Sequence, residues 1–202
     1  MKFLACLAAT ALCAAPALAE PGVETIVFVR HGEKPAAGLG QLNCRGLNRA
    51  LALPSVLGKM FGKPDAILAP SPAVMKEDSG KSYDYVRPLA TIEPAAIEFG
   101  MPIDATIGFN DVDGLQKALE APALKDATVF VAWEHKIIDH VAKHVLEAHG
   151  GDKHAVPTWP SDDFDSIYVV RIDRRASPET SSFALAKEGL DGRPDACPIP
   201  IK

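Results

Sequence analysis

Two short apolar runs that each end abruptly in charge constrain this chain more than any other feature. Val23 to Val29 is β-rich and largely apolar, and it stops at Arg30-His31-Gly32-Glu33-Lys34. Thr128 to Trp133 repeats the pattern and stops at Glu134-His135-Lys136. Short runs of this kind read as buried strands, the habit of sheets covered on both faces by helices. Polar groups just past the carboxyl ends of such strands sit where open α/β sheets bind ligands.

The segments between and beyond them alternate. Leu47, Ala50, Leu51 and Leu57 share a helical face, with Pro54 expected to kink or divide the helix. Ala66 to Ala69 reads as a second strand, and residues 73–84 as polar loop. Arg87 to Phe99 reads as a helix whose Pro88 is acceptable in the first turn. Ile103 to Ile107 could form a small strand, and Val112 to Leu119 a short helix. Ile138, Val141, Ala142, Val145 and Leu146 share a helical face. Ser166 to Ile172 is expected to be the last strand, with an irregular tail after Arg174. Strands alternating with helices imply a three-layer α/β/α sandwich around a mainly parallel sheet.

The first nineteen residues stand apart. Lys2, the apolar stretch Phe3 to Ala15 and the small-residue site Ala17-Leu18-Ala19 have the form of a secretory signal peptide. The apolar stretch is short for a membrane span, so no stable insertion is expected once it is removed. Cleavage would leave 183 of the 202 residues as one domain, residues 20–202, and shift the net charge from -5 to -6. That acidic balance disfavours a nucleic-acid partner. Of four cysteines only Cys44 and Cys197 would remain; in an oxidising compartment they either pair or stay as two thiols.

The charged residues at the strand ends suggest chemistry. His31 and His135 follow buried strands, and Arg30, Arg45 and Arg87 lie where strand ends and helix starts converge. A neutral imidazole among guanidinium donors suits a phosphate dianion. His140, His144, His149 and His154 read as surface or local hydrogen-bonding residues, and His140 with His144 lacks the glutamate of a zinc hydrolase motif. Glycine-rich phosphate loops and a GxSxG elbow are absent.

Arg30-His31-Gly32-Glu33 after a hydrophobic strand resembles the signature of the histidine phosphatase superfamily, also called phosphoglycerate mutase-like. Leu42-Asn43-Cys44-Arg45-Gly46-Leu47-Asn48-Arg49-Ala50, the helix with Arg87, Thr91 and Ala95, and His135 at a strand end resemble further family segments in order. With its leader, the chain resembles a small exported member. The resemblance implies a three-layer fold and phosphomonoester hydrolysis through a phosphohistidine, without metal or other cofactor. His31 would attack phosphorus, Arg30 and Arg87 would bind its oxygens, and His135 would stabilise the developing charge. Glu33 would support the nucleophile.

The general acid stays open. One branch of the family carries a glutamate beyond the helix arginine, where this chain has Asp111 and Asp113; the other has an aspartate after the second histidine, where it has Lys136. Glu134 is the third candidate, and the order is Glu134, Asp111, Asp113. Lys34, Arg45 and Tyr83 are candidate substrate contacts, with Tyr85 and the loop Asp162-Asp163-Phe164-Asp165 beside them, although each could be a surface or packing residue. The expected partner is a small phosphorylated molecule in the periplasm or outside the cell. The alternative is a protein of the same fold that binds an anion with weak or no turnover.

Overall fold

The structure, a computed structural model, describes residues 21–199. The expected leader lies outside the described residues. The first strand, β1, runs Val23–Arg30 and is followed by helix α1, Cys44–Phe61. Then come β2 (Ala66–Leu68), a hairpin of β3 (Lys76–Asp78) and β4 (Lys81–Tyr83), and helices α2 (Arg87–Phe99) and α3 (Val112–Leu119). Strand β5 (Thr128–Trp133), helix α4 (His135–Ala148) and strands β6 (Ser166–Asp173) and β7 (Thr180–Lys187) complete it.

The main sheet has the order β2-β5-β1-β6-β7. β2, β5 and β1 are parallel, and β6 and β7 add on antiparallel. Strands buried on both faces need a layer on each side, and alternate residues supply them. Phe28, Val129 and Val131 pack with Leu115, Ile138 and Val145 from α3 and α4. Val27, Val29 and Phe130 pack with Leu53, Leu57 and Ile92 from α1 and α2. The result is a three-layer sandwich.

Four local expectations change. Pro54 lies inside α1 without dividing it. The missing N–H of an interior proline costs about 3 kcal/mol, and the fully buried Leu53 and Leu57 on either side hold the helix to the sheet against that cost. Residues 73–84 contain the β3–β4 hairpin, turned at Ser79-Gly80 with both residues at positive φ. Residues 103–107 make only one isolated bridge, Asp104 beside Leu68. The tail forms β7, an edge strand whose exposed alternation lacked the apolar run used to find the others.

The segment after β7 returns to the start of α1. Cys197 is disulfide-bonded to Cys44, with Cα atoms 4.6 Å apart. Asn48 Nδ2 donates to the carbonyls of Pro194 and Ala196, and Arg45 pairs with Asp195 at 2.8 Å. Beneath this clasp the fully buried Arg49 meets four acidic side chains: Glu33, Asp165, Glu188 and Asp191. Burial, opposed by Arg49 and supported by the neighbouring acids, pushes Glu188 up to about 8.

Candidate active site

Strand register places the two histidine segments together. Arg30 is paired with Trp133 across the parallel β1–β5 ladder, and the His31 amide donates to the Trp133 carbonyl at 3.1 Å. Both chains leave the sheet there, one into the Gly32-Glu33 loop and the other into α4.

That loop is held from three directions. The Gly32 amide donates to Thr91 Oγ1 at 2.9 Å, and Thr91 in turn donates to the Arg87 carbonyl, tying the loop to α2. Asn43, the N-cap of α1, accepts from the Gly46 amide and donates to the Lys34 carbonyl. Gly32 and Gly46 allow the close approach: a Cβ on Gly46 would lie 2.3 Å from the Glu33 carbonyl oxygen. Glu33 itself grips Arg49 through both oxygens, at 2.9 and 3.0 Å.

His31 is only 4% exposed. Its Nδ1 lies 2.8 Å from the Gly32 carbonyl, which can only accept, so Nδ1 carries the proton and Nε2 the lone pair. Burial depresses the imidazole to about 3; the Gly32 carbonyl opposes this, and Arg87 and Arg30 reinforce it. The ring is therefore neutral at ordinary pH, and among the described residues its Nε2 has no hydrogen-bond partner.

The two arginines are pinned in the same way. Arg30 Nη1 donates to the carbonyls of Asp163 at 2.8 Å and Pro160 at 3.3 Å, and its guanidinium lies 3.8 Å from the centre of the Phe164 ring. Arg87 Nη1 donates to Asp78 Oδ2 at 2.5 Å and to the Gly38 carbonyl at 3.4 Å. Among the described residues the Nε of each is buried and without a hydrogen-bond partner, as are the Tyr85 hydroxyl and His135 Nδ1. Tyr85 is fully buried, edge-on to His31 with ring centres 6.1 Å apart.

Glu134 caps α4, its Oε2 accepting from the amides of Lys136 and Ile137. Its Oε1 lies 3.1 Å from His135 Nδ1, close enough for charge interaction but not aligned as a hydrogen bond. Burial raises the Glu134 carboxyl, but His135, Lys76 and the Ile137 amide outweigh it and hold the group at about 2.

The other sequence candidates fall in different places. Asp111 and Asp113 are exposed at the start of α3, where Asp111 accepts from the Gly114 amide. Lys34 pairs with Asp78 at 3.0 Å, at the partly exposed edge of the cluster. Arg45 is turned to Asp195 in the tail, and the half-buried Tyr83 lies opposite Lys76 on the hairpin.

Sequence reasoning missed Lys76, Asp78 and Phe109. Asp78, buried between Arg87 and Lys34, holds Arg87 by Nη1. Burial raises its carboxyl, but the two cations more than reverse the shift and leave it below the usual range. Lys76 Nζ lies 4.6 Å from the Phe109 ring centre and 5.5 Å from that of Tyr85. The alternation Lys76, Asp78 ahead of Ser79-Gly80 was the available signal: in a hairpin, alternate residues share a face.

No protein-family model and no curated protein matches the chain. Solved structures do. A protein assigned as phosphohistidine phosphatase SixA from Nakamurella multipartitia superposes with a TM-score of 0.57, at 13% identity, over 85% of this chain and 98% of its own. One assigned as an alpha-ribazole-5'-P phosphatase from Escherichia coli gives 0.55 at 12% identity, over 88% and 99%. A phosphoglycerate mutase from Plasmodium falciparum gives 0.52 at 14% identity, over 89% and 96%. The chain therefore has the fold of the phosphoglycerate mutase-like histidine phosphatases.

Proposed function

We propose that this protein is a phosphomonoester hydrolase acting through a phosphohistidine at His31, without a metal ion. One observation carries the reading. Two buried guanidinium groups, each pinned by Nη1, keep a buried Nε unpartnered beside a neutral imidazole. Buried donors are rarely left unpaired, because each costs about 1–3 kcal/mol. Donors in this number suit a tetrahedral dianion with several acceptor oxygens. The local charge agrees: Arg30, Arg87, Lys34 and Lys76 face Asp78 and Glu134, reversing the acidic balance of the whole chain.

In the reaction, His31 Nε2 forms a bond to phosphorus as the ester P–O bond breaks. Arg30 and Arg87 hold the non-bridging oxygens, whose charge rises in the transition state, and the proton-bearing Nδ1 stays on the Gly32 carbonyl as the ring becomes cationic. His135 faces the same phosphoryl group. Water then attacks the phosphohistidine and orthophosphate leaves. The substrate is a small phosphoester met outside the cytoplasm, a location supported by the leader-like first residues and the Cys44–Cys197 disulfide.

The test is turnover of nitrophenyl phosphate with rapid acid-free trapping of the phosphoprotein and peptide mass spectrometry. Turnover that survives a chelator, label on His31 and loss of both in H31A are expected. Tight binding of inorganic phosphate without turnover would favour an anion-binding protein of this fold instead.

A further inference from the structure

Hydrolysis of an alkyl phosphate needs a proton for the departing oxygen, and the carboxylates next to His31 are poorly placed to give one. Glu134 is held ionised by two amides and His135, and both oxygens of Asp78 are engaged by Arg87 and Lys34. Asp111 caps a surface helix. The buried Tyr85 hydroxyl is a weak acid made weaker by burial.

Lys76 differs from all of them. Its side chain is half-buried on the β3–β4 hairpin, and among the described residues it makes no ion pair and no hydrogen bond. The ammonium rests against the Phe109 and Tyr85 rings, and Tyr85 is also the ring set edge-on to His31. One aromatic side chain thus borders both the nucleophile and an unpartnered proton carrier. Burial lowers the Lys76 ammonium from the usual lysine value; Arg87 and Lys34 add to this, while Glu134 and Asp78 oppose it. It is a stronger acid than a solvated lysine.

Resting on the phosphatase reading above, we propose that Lys76 is the general acid, giving its proton to the leaving-group oxygen. As the His31 Nε2–P bond forms and the P–O bond breaks, the electron pair on the departing oxygen takes a proton from Nζ, leaving a neutral amine and an alcohol. In the second step the amine takes a proton from the attacking water, orthophosphate is released and the ammonium is restored. The hairpin that carries Lys76 also carries Asp78, so one small element supplies the proton and sets Arg87.

The experiment compares ethyl phosphate, whose leaving group needs a proton, with nitrophenyl phosphate, whose leaving group does not, in wild type, K76M and K76R. A general acid contributes about 10²-fold or more. In kcat/KM, which reports phosphorylation of His31 and not the shared water step, K76M should lose at least roughly that factor more on ethyl phosphate than on nitrophenyl phosphate. K76R, which keeps the charge but not a usable proton, should stay low on ethyl phosphate. Equal losses on both substrates, or full recovery in K76R, would overturn the assignment of Lys76 alone. Wild type that turns over neither substrate overturns the phosphatase reading and this one with it.

Discussion

His31 illustrates how burial sets chemistry at a single residue. Its ring titrates near 6.5 in an unfolded chain and about 3 here, so folding excludes a proton that the unfolded chain would bind. The linked stability is fully present above about pH 6.5 and drains away as pH falls toward 3. At about pH 4.5, two units below the unfolded value, the loss approaches ~2–3 kcal/mol. Urea denaturation of wild type and H31Q at neutral and acid pH isolates this contribution from that of the carboxylates. H31Q should show a flatter acid limb; identical limbs would mean that the imidazole is not held neutral.

At the level of elements, the contact between the His31 loop and α1 governs whether the site can form. An alanine in a helix ordinarily gains up to ~1 kcal/mol over glycine. At Gly46 the added Cβ would meet the Glu33 carbonyl at 2.3 Å, and that oxygen belongs to backbone that cannot swing aside. The clash wins, so G46A should be destabilised by about 1–3 kcal/mol in thermal unfolding and lose turnover beyond what the stability change explains. The strands and helices that build this contact were legible because burial on two faces leaves unbroken apolar runs, as at Ile26 to Val29 and Val129 to Trp133. The motif residues His31, Arg30, Arg87 and His135 were legible because each sits at an element boundary. The hairpin was not. Lys76 and Asp78 are polar residues on a two-stranded ribbon with no core of its own, and their importance comes from where the ribbon docks.

Across the whole molecule, the Arg49 cluster joins the His31 loop, α1, the start of β6 and the tail through one guanidinium. With Glu188 pushed up to about 8 from 4.5, the folded protein holds a proton there that the unfolded chain releases. That stability is present below the unfolded value and is lost as pH rises through about 8. Between about pH 6 and pH 8 the loss should be on the order of 2 kcal/mol, and E188Q should remove that slope in denaturant titrations. An unchanged slope would show that Glu188 is ionised throughout.

The Cys44–Cys197 bond makes residues 44–197 a covalent ring. A single backbone cut within a ring opens it without dividing it. Limited trypsin cleavage after the exposed Arg175 should therefore yield a nicked protein that runs as one band on a denaturing gel without reductant and as two fragments with it. In C197S the same cut should give separate fragments under both conditions. A chain built this way can sustain one proteolytic hit and keep both halves of its candidate site, the His31 and His135 segments included, on a single molecule.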